Sequence, residues 1–178
     1  AVGYGRRGWN PASRKSFLIT RELTGAYSTA EFTKNWPTEP PDYALRVAMI
    51  RKITEIARAI HGNGMNHRDL YLCHFLLDLS AGAVPEPKNV DFFLVDLHRA
   101  QIRATVPERW LVKDLASIYF SALDIGLTAR DVLRFMRVYY GKPLPQLFAE
   151  KQGHFNRIKA KARKLYRRDF KREPVFPL

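Results

Sequence analysis

Asp69 and Asp96 are the residues on which chemistry can be built. Asp69 closes the tripeptide His67-Arg68-Asp69. Asp96 stands 27 positions on, in Val95-Asp96-Leu97-His98, at the end of a short apolar run. Two aspartates in that order suit phosphoryl transfer of the kinase type. One orients an acceptor hydroxyl and takes its proton late; the other holds a Mg²⁺ ion against the phosphates of ATP. His67, Arg68 and Asp69 are therefore the candidate catalytic residues, and Asp96 the candidate metal ligand.

Five positions past Asp69, where a protein kinase places a second metal-binding Asn, stands His74. Imidazole suits Mg²⁺ poorly, so His74 is a weak ligand. Hydrogen bonding to Asp69 or a phosphate, or filling a core gap, are its other readings. A zinc site from His67, His74 and His98 matches no usual spacing. Asp114 lies inside the mostly apolar Trp110–Ala116 stretch and requires a partner there; tying down the catalytic-loop backbone is the role assigned to it. Arg68, Arg99 and Lys113 are candidates for anion contacts.

The elements that must position these residues are mostly helical. Asp42 caps a long helix whose Val47, Ile50, Ile53, Ala57 and Ile60 share one face, and Gly62 ends it. His67-Arg68-Asp69 follows that break. Phe75-Leu76-Leu77 and Val90 to Val95 read as two short strands around a Pro/Gly-bearing loop, delivering Asp96. A ten-residue connection, Leu97 to Val106, leads to a helix opened by Pro107 and running to about Leu123. Thr128 and Asp131 cap another helix, stopped by Gly141 and Pro143. A last, basic helix spans about Phe155 to Phe170. Upstream, Ser28 with Glu31 forms a capping-box pattern for a short helix. Ser16 to Leu23 reads as a buried strand running into a polar link, with Glu22 and Leu23 as nucleotide-binding candidates.

Gly3-Tyr4-Gly5-Arg6-Arg7-Gly8 spells GxGxxG, yet neither a preceding strand nor a following helix is visible. It reads as a flexible surface turn.

With 178 residues, 46% of them apolar, the chain can bury a substantial core. Its single cysteine, Cys73, excludes an intrachain disulfide and suggests a reducing compartment. No run approaches membrane-span length, and no signal-peptide pattern opens the chain. A formal charge of +13 implies an anionic partner, and nine basic residues fall between Arg157 and Arg172. The segment after Asp96 lacks the closing Ala-Pro-Glu of protein kinases, which favours a small or saccharide acceptor over a peptide.

Several stretches resemble the lipopolysaccharide core heptose(I) kinase family (WaaP/RfaP). They are Asn66-His67-Arg68-Asp69 with Tyr71 and Cys73-His74-Phe75, then Val95 to Gln101, Lys113-Asp114-Leu115-Ala116, and Tyr119 to Thr128. His74 and His98 depart from protein kinases but agree with this family. The resemblance implies an α+β, mostly α, protein-kinase-like C-lobe over residues 24–178. Residues 1–23 would be a remnant of the N-lobe, its last strand plus hinge. It implies ATP- and Mg²⁺-dependent phosphorylation of the inner-core heptose I, at the cytoplasmic face of a Gram-negative inner membrane. It also implies that the 178 residues alone, without an ATP-cradling lobe, would not turn over. The basic tail is compatible with inner-core saccharide, an anionic membrane surface, or an acidic protein such as an acyl carrier protein. The rival is a non-catalytic basic binding module for nucleic acid or an acidic protein. Nucleic acid is not expected, because the aromatics Phe92, Phe93, Tyr139 and Tyr140 lie in apolar runs instead of among the basic residues. A kinase of the same superfamily with another acceptor is the third reading.

Overall fold

The computed structural model describes residues 2–10, 12–80, 82 and 85–178. Strands β1 (Gly3–Arg7) and β2 (Lys15–Ile19) form an antiparallel hairpin, Gly5 opposite Phe17. Two expectations change here. The glycine pattern is strand up to Arg7, not a turn, because its register is set by β2. And β2 is exposed throughout instead of buried: Phe17, Leu18 and Ile19 are each more than half exposed.

β3 (Ala26–Ser28) leads into α1 (Thr29–Thr33). The capping box expected at Ser28 and Glu31 is not formed, because Glu31 turns outward to pair with Lys34 at 3.2 Å. Asp42 does cap α2 (Tyr43–Gly62), accepting from the amides of Ala44 and Leu45. The most buried stripe of α2 is Leu45, Met49, Ile53 and Ala57, rotated slightly from the expected face; Val47 and Ile50 are only half-buried.

After α2, Gly64 takes φ +76°, and a Cβ there would stand 1.8 Å from the Arg103 carbonyl oxygen. Only glycine permits this approach, which brings β4 (Met65–Asn66) against β7 (Gln101–Ile102). β7 and the 3-10 turn Leu97–Arg99 lie within the expected ten-residue connection. β5 (Phe75–Asp78) is central in a three-stranded antiparallel sheet, between β3 and β6 (Phe92–Leu94). Ala81, Ala83 and Val84, within the expected Pro/Gly loop, lie outside the described residues.

α3 (Glu108–Ala122) and α4 (Ala129–Tyr140) follow, the second with a complete Thr128/Asp131 capping box and Gly141 left-handed beyond it. α5 runs Leu144–Phe170, eleven residues earlier than the sequence suggested. Pro145 sits in its first turn, where a missing N–H costs nothing. The core joins the α2 stripe to Leu70, Leu72, Phe75, Leu77 and Phe92 and to Ile118 and Ala122 of α3. α5 buries Ala162, Leu165 and Tyr166, and packs chiefly on α3. No helix is long and apolar enough to cross a membrane among the described residues.

Candidate active site

The loop from Asn66 to His74 is held from beneath. Asp114, fully buried on α3, accepts from the amides of His67 and Arg68, both at 2.7 Å. Its second support is His61, whose Nε2 lies 3.3 Å from Oδ2 and whose Nδ1 lies 2.6 Å from the Tyr139 hydroxyl. Burial, reinforced by the Asp114 charge, pushes the Tyr139 phenol well above its usual range. Tyr139 therefore stays protonated; the Asp114 carboxylate can only accept, so His61 presents an N–H to it from Nε2, and Nδ1 bonds the Tyr139 hydroxyl. A buried carboxylate with three donors is a satisfied one. Arg68 holds φ 77°, left-handed for a non-glycine residue. At this rare conformation the chain passes from the buried His67 to Asp69, which keeps about 15% of its side chain exposed.

Asp69 is held by two cations. Arg99 Nη1 lies 2.8 Å from its Oδ2, and Lys113 Nζ lies 3.4 Å from its Oδ1. The two residues read as free anion contacts thus meet Asp69 itself. Arg68 does not join them; its guanidinium lies over the Trp110 ring at 4.7 Å.

His74 connects the two aspartates. Its Nδ1 donates to the Asp69 backbone carbonyl at 2.6 Å, and its Nε2 lies 3.3 Å from Asp96 Oδ2. The His67 ring stacks on it at 5.7 Å and bonds the Val95 carbonyl through Nε2 at 2.9 Å. Asp96 ends the β6 segment with φ 63°, and its other oxygen bonds His98 Nδ1. That bond holds the Asp96 carboxyl below the usual carboxylate range; slight burial opposes it, and the charges of His98, His74 and His67 add to it.

The donor set fits Mg²⁺ through Asp96 alone. Its carboxylate is about 39% exposed. Mg²⁺ is commonly held by one or two carboxylates, with phosphate and water oxygens completing the shell. His74 offers nitrogen, a poor match. Among the described residues no cluster of three or more metal-ligating side chains occurs. Glu22 and Leu23 lie in the link between β2 and β3, and neither is bonded to the Asp69–Asp96 group among the described residues.

Two cavities flank this group. An apolar one of about 230 Å³, between α2, α3, α4 and α5, is lined by Met49, Ile53, Ile118, Phe135, Met136 and Phe155. It touches neither aspartate and does not mark the reaction site. A cleft of about 420 Å³, bordered by charged residues, begins at Lys113 and runs between α3 and α5.

The profile of the lipopolysaccharide kinase (Kdo/WaaP) family matches residues 1–139. The chain belongs to that family. It is 42% identical over 171 residues to the lipopolysaccharide core heptose(I) kinase WaaP of Escherichia coli, covering 96% of this chain and 64% of that one. The WaaP of Pseudomonas aeruginosa is 43% identical over 171 residues, covering 94% of this chain and 62% of the relative. The chain therefore spans less than two thirds of the length of these relatives. Among solved structures it is similar to WaaP in complex with acyl carrier protein, with TM-score 0.84 and 42% identity over 92% of this chain and 67% of the other. The α+β, mostly helical, kinase-like fold expected from the sequence is thus established.

Asp114 holds the loop as the sequence suggested, but its companions were not legible. His61, Tyr139 and the Asn66–Arg103 bond at 2.8 Å had no motif to mark them. A histidine on the buried side of α2 was the one available signal.

Proposed function

We propose that the protein transfers the γ-phosphate of ATP to heptose I of the lipopolysaccharide inner core. The observation that carries this reading is the 42% identity to a heptose(I) kinase across 96% of the chain. The geometry is compatible with it. Asp69 orients the acceptor hydroxyl and accepts its proton. A loose transition state needs little base strength, so the Arg99 and Lys113 contacts serve to aim the carboxylate. Asp114 keeps the loop backbone in place from below. Mg²⁺ on Asp96, when bound, neutralises charge on the phosphate oxygens. Residues 1–23 form the end of a small lobe and 24–178 a large one, with Glu22 and Leu23 at the nucleotide-binding link.

An acidic protein partner belongs to the same reading. The solved relative is in complex with acyl carrier protein, and a charge of +13 suits such a partner. The same charge supports a location at the anionic cytoplasmic face of the inner membrane.

The test follows ³²P from ATP to heptose-containing core saccharide with the full-length protein. Transfer abolished by both Asp69→Asn and Asp96→Asn is the expected result. Transfer indifferent to both would sink the assignment.

A further inference from the structure

The geometry points to a second anion-binding subsite beside Asp69, formed by Arg109, Trp110, Arg157 and Lys161, that takes a carboxylate or phosphate group on the sugar neighbouring the phosphorylated one. This rests on the kinase reading above and specifies how its acceptor is held.

Four cations, Arg109, Lys113, Arg157 and Lys161, border the cleft between α3 and α5 against one carboxylate, Glu108. They form two matched rows. Arg109 and Lys113 are one helical turn apart on α3, and Arg157 and Lys161 one turn apart on α5. Glu108 pairs with Arg157 and with His154 at 3.0 Å. Arg109 and Lys161 have no ion-pair partner among the described residues.

Like charge also gathers around the Trp110 ring at the edge of the cleft. Arg68, Arg109 and Lys113 lie 4.7, 5.2 and 5.9 Å from the Trp110 centroid. Four cations crowded against one carboxylate, two of them without an ion-pair partner among the described residues, describe a place suited to anionic oxygen. Lys113 is shared, with its ammonium on Asp69 while the residue also lines the cleft. One turn of α3, about 5.4 Å of rise, separates it from Arg109. That is the span of a neighbouring sugar ring. A saccharide with its reacting hydroxyl at Asp69 would thus lay an acidic substituent of the next residue between the two rows.

The test uses the full-length protein with Arg109, Arg157 and Lys161 changed together to Gln, and again to Lys, Lys and Arg. Lys113 is left intact. The acceptors are acidic core saccharide and the same saccharide with carboxyls reduced and phosphates removed. For the Gln variant, KM for the acidic acceptor should rise at least tenfold with kcat within twofold. KM for the neutral acceptor should not move, and the charge-conserving variant should recover most of the loss. Equal weakening of both acceptors, or no change in either, would overturn the subsite. If wild type transfers phosphate to neither acceptor, the kinase reading has failed, and calorimetric titration of the acidic saccharide then decides the subsite alone. Weaker binding by the Gln variant supports it, and equal binding overturns it. Loss of binding to phosphatidylglycerol vesicles with an unchanged acceptor KM would make the cleft a membrane contact, which also overturns it.

Discussion

Asp114 and Arg68 stand 46 positions apart, and the buried carboxylate of one holds the backbone amide of the other at 2.7 Å. The held residue is left-handed, a conformation that costs a non-glycine residue about 1–3 kcal/mol. The carboxylate offsets that cost. Asp114→Asn presents an NH₂ group to a donor and leaves one amide unsatisfied, so it should destabilise the fold by about 1–3 kcal/mol. Asp114→Ala should cost more, about 3 kcal/mol or above. Urea denaturation measures both, and phosphoryl transfer should fall along with stability.

Changes at the reacting carboxylate separate from stability. Asp69→Asn should lower kcat by about 10²–10⁴-fold while nucleotide affinity is retained. Arg99→Ala should cost less, about tenfold, because Lys113 still holds Oδ1. Single-turnover kinetics with matched ATP-binding measurements distinguish the two effects.

Gly64→Ala tests the turn that delivers the loop. Its Cβ would fall 1.8 Å from the Arg103 carbonyl oxygen, at a φ of +76°. Backbone must move, separating β4 from β7, and a loss of about 2 kcal/mol or more should appear as a lowered melting temperature.

Acid stability has a defined source on α4. Burial tends to raise the Asp131 carboxyl, but bonds from Arg46 and Thr128 outweigh it and hold it below its ordinary range. Its folded pKa lies below the unfolded one. Its contribution is therefore complete above about pH 4 and is lost as pH falls through the folded value. Arg46→Gln should be less stable than wild type at pH 6, and the gap in melting temperature should narrow from pH 5 towards pH 3.

How much of this was legible depended on the range of the cause. Asp42, Thr128 with Asp131, Gly62 and Gly141 act within one helical turn, so residue types announced those boundaries. β4 and β7 are two residues each and carry no periodicity; a contact between Gly64 and Arg103 defines them. The beginning of α5 was hidden because Pro143 reads as the stop of α4, although it is also the N-cap of α5, whose first turn accepts Pro145. At the site, the aspartates were visible because they sit in short patterns. The clamps on Asp69 come from 30 and 44 positions away, and only the folded chain brings Arg99 and Lys113 together there.

His74 makes the catalytic loop and the β6 end depend on one ring. One nitrogen is committed to the Asp69 carbonyl and the other lies against Asp96. A shorter or longer side chain could reach one of these neighbours but not both in the same geometry. Position 74 is therefore a shared joint, and a change of side chain there would be felt at the Asp69 backbone and at the Asp96 carboxylate together.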